Sequence, residues 1–246
     1  RQRQMCIRDR FTHTFAPFAT RRVFDQLFLS GAYAGNTINV YGSDPGFSVA
    51  SNGGTHTAWE DVALIREIPG AVICDPADDV QMEWIIKEFL KMEGIHYVRS
   101  NRKAVRNVYK KGSSFKIGQG NILKEGKDIL IIAAGQLVSE ALDCAEELEK
   151  EGYSVEVIDM FTIKPLDEKL LIKEAKGKSK IVTIENHSIY GGLGSAVSEV
   201  IAENGISVPV KRIGVKEKFG QVGTAEFLQE EFGLTAKQIK ETICQF

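Results

Sequence analysis

Cysteine is sparse in this chain and follows no pattern. Cys6, Cys74, Cys144 and Cys244 form no CxxC pair and no Cys/His spacing suited to a metal. A chain of 246 residues needs no disulfide staples, so these read as free thiols in a reducing cytoplasm, the expected location. Neither sign of charge is in excess. Lys and Arg number 31 against 33 Asp and Glu, for a net charge of -2 and a pI near 6.2. Such a balance points away from nucleic acid or an anionic membrane as partner. No apolar run reaches the roughly 18 residues of a spanning helix. No charged start followed by an apolar stretch suggests a signal peptide.

Hydrophobic residues make up 43% and charged residues 26%, ordinary for a globular protein with real cores. The length allows one large domain or two α/β domains. Residues 1–10, RQRQMCIRDR, are polar and without period. They are set aside as an artefact or a disordered leader, which would mean that the natural chain extends further upstream.

Beyond them, short apolar runs alternate with helical patterns. Strands are expected at Asn36–Tyr41, Ala71–Asp75, His96–Arg99, Asp128–Ala134, Ser154–Asp159, Lys180–Glu185 and Val208–Ile213. The unbroken run Ile129 to Ala134 suits a strand buried on both faces of a parallel sheet. Helices are expected over Trp59–Glu67, over Asp79–Glu93 with Asp78 as N-cap, and over Val138–Glu151. Thr235 and Gln238 have capping-box spacing, with Leu234 and Ile239 placed as a hydrophobic staple. Strand–helix alternation implies two open-sheet α/β domains. A Lys-, Gly- and Ser-rich break with short β signals at Phe115–Ile117 and Asn121–Leu123 divides them into 11–112, a connecting stretch 113–127, and 128–246. The first domain, with three visible strands, looks incomplete. The basic run Arg99, Arg102, Lys103, Arg106, Lys110 and Lys111 reads as a solvated connection, Arg102 excepted.

Two stretches have residue types suited to chemistry. Phe15 and Phe18 are three apart and share a face on a helical turn. Spacing alone favours core packing, but two rings at a loop-to-helix junction also suit a flat heteroaromatic ligand. The Gly-rich segment from Gly42 to Thr57 follows a strand, where open α/β sheets place ligands. Within it His56 is either a proton-exchanging group or a residue that caps its own loop. Gly191-Gly-Leu-Gly194 opens a helix and reads as a tight packing turn rather than an anion site. Glu185 and His187, just before it, receive no firm role.

Taken together, TFAPFATRRVFDQ, SNGGTHTAWEDVALIREIPGAVICDPAD and HYVRSNR resemble the pyrimidine-binding domain of transketolases. IDMFTIKPLDEKLL and IENHSIYGGLGSAVSEV resemble the C-terminal domain of that family. The resemblance implies a C-terminal transketolase section: a partial pyrimidine-binding domain followed by a transketolase C-terminal domain. It implies transfer of a two-carbon ketol unit between sugars or sugar phosphates with thiamine diphosphate (ThDP). Phe15 and Phe18 would line the aminopyrimidine pocket, His56 would face the reacting carbon, and Asn52 and Arg102 would bind substrate, Arg102 as the phosphate grip.

Asn52 stands where transketolases usually carry Asp. Asp44 stands where many carry a phosphate-binding His, and its carboxylate would repel a phosphate. The carboxylic acid that activates the aminopyrimidine would be a Glu upstream of Phe15, and no Glu precedes that residue. The Gly-Asp-Gly motif that holds Mg²⁺ and the diphosphate is also absent. The missing Glu suggests that the start of this chain was lost, whereas the missing motif is what a split transketolase implies: an N-terminal subunit holds the metal, the pair forms a dimer of heterodimers, and this chain alone is inactive. The alternatives are a 1-deoxyxylulose-5-phosphate synthase-like or 2-oxoacid dehydrogenase E1 β-like subunit, or a non-catalytic assembly protein that keeps the fold.

Overall fold

The computed structural model describes residues 11–246; the leader proposed for residues 1–10 lies outside them. Two five-stranded sheets organise the described residues. The first has strand order β1-β2-β4-β3-β8, formed by β1 (Phe11–Phe15), β2 (Ile38–Ser43), β3 (Val72–Cys74), β4 (Ile95–Ser100) and β8 (Thr162–Lys164). The second runs β10-β9-β6-β7-β5, from β5 (Asn121–Lys124), β6 (Ile129–Ala133), β7 (Val155–Asp159), β9 (Lys180–Ser188) and β10 (Val210–Val215). Four strands of each sheet are parallel, and β8 and β5 are the antiparallel additions.

All seven expected strands are present. The first sheet has two more members than the apolar runs reveal. Edge strand β1 exposes Thr12 and His13, so it lacks the apolar signature. Three-residue β8 comes from the second half of the chain and pairs with β3, stitching the halves together. Within the stretch expected as a connection, β5 joins β7 and belongs to the second sheet.

Among the described residues eight α-helices flank the sheets: α1 (Ala16–Ala19), α2 (Asp61–Arg66), α3 (Asp79–Phe89), α4 (Val138–Lys150), α5 (Glu168–Ala175), α6 (Leu193–Glu203), α7 (Ala225–Glu231) and α8 (Ala236–Gln245). Asp78 caps α3 by accepting from the Gln81 amide at 3.0 Å, and its other oxygen accepts from the amides of Val108 and Tyr109. The Thr235–Gln238 capping box is formed, and Leu234 and Ile239 are buried beside it. Gln26–Tyr33 coils as a π-helix.

The core does not respect the division of the sequence. One apolar cluster joins Val40, Val62, Ile65, Ile73 and Tyr97 of the first half to Leu130, Ile158, Leu193 and Val197 of the second. Burial of this kind contributes roughly 1.5–3 kcal/mol per large aliphatic side chain. Polar contacts cross the same boundary. Asn186 Nδ2 donates to Pro45 O at 3.1 Å, and Asn186 Oδ1 accepts from the Phe47 amide at 3.1 Å. Gly46 has φ 58°, and a Cβ there would lie 2.0 Å from Asn186 Oδ1, so only glycine permits this approach. The segment carrying the candidate site is thereby clamped on β9.

Candidate active site

Three strand ends deliver the site. Phe15 ends β1 and serves as the N-cap of α1, which Pro17 opens and which carries Phe18. A proline in the first turn costs no hydrogen bond, because those amides have no intrahelical partner. Asp44 follows β2, its amide donating to Ser100 O at 2.7 Å. Arg102 lies just past β4. These parallel neighbours therefore bring their carboxyl ends to one place, where open α/β sheets put ligand sites.

The Gly42–Thr57 segment folds back over this end. Asp44 and Ala50 have φ of 55° and 52°, a region that side chains other than glycine adopt rarely and at a cost of about 1–3 kcal/mol. Gly53, at φ 70°, makes the turn that carries His56. Its carbonyl accepts from the His56 amide at 3.0 Å, the Thr57 amide at 3.1 Å and Thr57 Oγ1 at 3.0 Å. From the C-terminal half, the segment between β10 and α7 crosses this turn. A Cβ on Gly220 would lie 2.1 Å from Thr57 Oγ1, so only a glycine lets that segment sit so close.

Phe15, Phe18 and His56 form a three-ring cluster with centroids 5.0–6.0 Å apart, all in edge-to-face attitudes. Both Phe rings and His56 are half-buried, not sealed in a core. Thr55 Oγ1 lies 2.9 Å from His56 Nδ1. Arg22 stacks its guanidinium 3.9 Å above the Phe18 ring, and Arg102 lies 5.4 Å from the Phe15 centroid. Arg102 Nη1 donates to Asn52 Oδ1 at 3.2 Å, and Nη2 donates to Asp44 Oδ2 at 3.3 Å. Every candidate read from the sequence, namely Phe15, Phe18, Asn52, His56 and Arg102, thus lies in one patch with Asp44. Local spacing could not show this, because the six come from three separated segments.

Joined to the Pro45–Phe47 backbone through Asn186 is a charged cluster that sequence reading missed. Arg99 belongs to the basic run expected as a solvated connection, yet it is buried. Its Nε donates to Asp61 Oδ2 at 2.9 Å, Nη1 to Asp75 Oδ2 at 2.6 Å, and Nη2 to the Asn186 carbonyl at 2.9 Å. One guanidinium cannot balance two buried carboxylates, and the two acids respond differently. Burial opposes ionisation of Asp61, but Arg99, His187 and the Tyr97 hydroxyl at 2.6 Å together hold its carboxyl below the ordinary range. At Asp75, burial prevails over Arg99 and raises it. Burial also drives His187 down to about 4, so it is neutral near pH 7, and its Nε2 has no hydrogen-bond partner.

Glu185 resolves the Gly191–Gly194 loop. Its carboxylate accepts from the Leu193 and Gly194 amides at 2.7 and 2.9 Å, so the protein's own carboxylate fills the N-terminus of α6. A Cβ on Gly192 would lie 2.0 Å from that carboxylate, consistent with a packing turn. Burial pushes Glu185 up to about 7.

Residues 7–108 match the family model of the transketolase pyrimidine binding domain, and residues 118–239 that of the transketolase C-terminal domain. A 6-deoxy-6-sulfo-D-fructose transketolase subunit from Clostridium sp. (strain MSTE9) is 44% identical, across 93% of this chain and 71% of its own length. Mouse transketolase is 36% identical across 96% of this chain, which spans 38% of it. Among solved structures, a split-gene transketolase described as an inactive β4 tetramer superposes with a TM-score of 0.86 at 36% identity, covering 96% of this chain and 74% of that one. The identities and coverage agree with the order of the strand ends and the residues they carry: this chain belongs to the transketolase family and corresponds to its C-terminal section.

Proposed function

We propose that this chain is the C-terminal subunit of a ThDP-dependent transketolase, which transfers a two-carbon ketol unit between sugars in company with a separate N-terminal subunit. The observation that carries the reading is the convergence of Phe15, Phe18, His56, Asn52 and Arg102 at the carboxyl ends of β1, β2 and β4.

The residues present fit one end of the cofactor. Half-buried aromatic edges at Phe15 and Phe18 suit a flat aminopyrimidine, which stacks on or packs against rings. When bound, ThDP supplies the stabilised carbanion of ketol transfer. The protein residues do the rest from fixed positions. Phe15 and Phe18 wall the ring and exclude water. His56, held by Gly53 and beside Thr55, binds a substrate hydroxyl or moves a proton at the reacting carbon. Asn52 and Arg102 hold the more distant part of the sugar.

Among the described residues, no group of three or more His, Cys, Asp or Glu side chains is placed to hold a metal ion. A Mg²⁺-bound diphosphate needs hard oxygen ligands in a fixed shell, and the proposal assigns these to the N-terminal subunit. The Clostridium relative, named as a subunit, and the split-gene relative, described as an inactive β4 tetramer, support a two-chain enzyme that is inactive as this chain alone. A dimer of heterodimers is the proposed assembly.

The test is reconstitution with the N-terminal subunit, ThDP and Mg²⁺, comparing ketol transfer from a ketose to an aldose with decarboxylation of pyruvate. Ketol transfer that requires both chains is the expected result. Pyruvate decarboxylation would instead support the 1-deoxyxylulose-5-phosphate synthase-like or E1 β-like reading. No detectable ThDP binding by the pair would support the non-catalytic one.

A further inference from the structure

Arg102 is already occupied. Its Nη2 donates to Asp44 Oδ2 at 3.3 Å, its Nε lies 3.3 Å from Asp44 Oδ1, and its Nη1 donates to Asn52 Oδ1 at 3.2 Å. The two members of the pair differ in freedom. The Asp44 side chain is 5% exposed and that of Arg102 46%. Asp44 is also fixed through its backbone, with φ 55° and an amide bonded to Ser100 O. Asp44 Oδ1 is buried without a hydrogen bond. Of the neighbouring cations, Lys103 pairs with Glu226 at 2.8 Å, Arg99 is spent on Asp61 and Asp75, and Arg22 is stacked on the Phe18 ring rather than on Asp44.

We propose that Asp44 is a specificity-determining residue: it neutralises Arg102, so the site takes a ketose whose far end carries at most one negative charge, a hydroxyl or a sulfonate, in preference to a dianionic phosphate ester. The proposal rests on the transketolase reading above. A phosphate monoester carries close to two charges above its second ionisation near pH 6. At this site it meets one arginine and one buried carboxylate, a local net charge of zero. A neutral or singly charged end needs less compensation than a dianion.

The test uses the reconstituted two-subunit enzyme and three matched ketose donors ending in hydroxyl, sulfonate or phosphate, with kcat/KM measured for each. The wild type should favour the hydroxyl or sulfonate donor at about pH 8, and its discrimination against phosphate should narrow below about pH 6, where the ester gains a proton. The hydroxyl and sulfonate arms identify which end is natural. Asp44→Asn should shift the ratio towards the phosphate donor by about tenfold or more, since like charges in contact are costly. A wild-type preference for phosphate overturns the proposal. So does an unmoved ratio in an Asp44→Asn variant that melts like wild type. If that variant fails to fold, the wild-type ranking and its pH dependence decide. A pair that turns over no ketose refutes the transketolase reading instead. Calorimetric titration of inorganic phosphate into this chain then decides the charge filter. Binding gained only by Asp44→Asn supports it, and binding by wild type, or by neither form, overturns it.

Discussion

The imidazole of His56 stands edge-on to the ring of Phe15, with centroids 5.1 Å apart and planes 89° from parallel. The group proposed to act on substrate therefore sits against the wall proposed to hold the cofactor. Removing His56 should separate those two duties. His56→Ala should lower kcat by about 10²–10⁴, the usual contribution of a positioned acid or base, while ThDP affinity changes little. Steady-state kinetics and calorimetry on the reconstituted enzyme check this. The reverse pattern, weakened ThDP binding with kcat intact, would make His56 a packing residue.

Phe15→Ala should act in the opposite sense. Loss of the ring removes burial and edge contacts worth about 1–3 kcal/mol, so ThDP should bind roughly 5- to 150-fold more weakly while kcat at saturating cofactor falls less. Calorimetric titration of ThDP into the two-chain complex provides the measurement. Unchanged affinity would remove Phe15 from the cofactor wall.

Arg99 is expected to hold the two halves together rather than to bind a ligand. Arg99→Met would leave Asp61 and Asp75 buried without their cation. Breaking one side of such a cluster typically costs about 3–5 kcal/mol, and urea unfolding should show a loss of that order. Restoring the balance with Asp61→Asn in the same chain should recover part of it. A loss under about 1 kcal/mol would be the surface ion-pair result and would contradict the buried role.

Asp159 provides a pH-dependent test of the interface between α3 and the second sheet. Its Oδ2 accepts from Gln81 Nε2 at 2.7 Å and from the Tyr109 hydroxyl at 2.6 Å. Burial nevertheless raises it from 3.8 to about 7. The folded state then holds a proton that the unfolded state has released. This group's contribution is complete below about pH 4 and is lost as pH rises through about 7. The stability of Asp159→Asn relative to wild type should therefore improve from about pH 4 to 7 and level off above. His187 changes in the other direction, its contribution being lost as pH falls from 6.5 towards about 4, but it is common to both proteins and cancels in the difference. A flat difference across the range would mean that Asp159 stays ionised.

Much of this was legible in sequence because it is local. The run Ile129–Ala133 is apolar at every position and buried at every position, and the caps at Asp78 and Thr235 need only residues three apart. Phe15, Phe18, Asn52, His56 and Arg102 were found through family resemblance, and their juxtaposition comes from parallel pairing of β1, β2 and β4, which no local period encodes. Arg99 was misread for the same reason. Inside a basic run it looks like its neighbours, and only the fold brings Asp61, Asp75 and Asn186 to it. Glu185 is similar. An acid before a Gly-rich turn carries no sign that it will fill the helix N-terminus itself. Short β8 and polar β1 lack apolar pattern, and pairing partners rather than composition make them strands.

The most direct measurement is a ThDP titration in the presence of Mg²⁺, performed on this chain alone, on the N-terminal subunit alone, and on their mixture. A pocket walled by Phe15 and Phe18 on one chain and anchored through the diphosphate on another should give saturable binding in the mixture at an affinity neither chain reaches alone, with ketol transfer appearing over the same range. Equal affinity for one isolated chain and the mixture, or no binding in any of the three, would contradict a pocket shared between them.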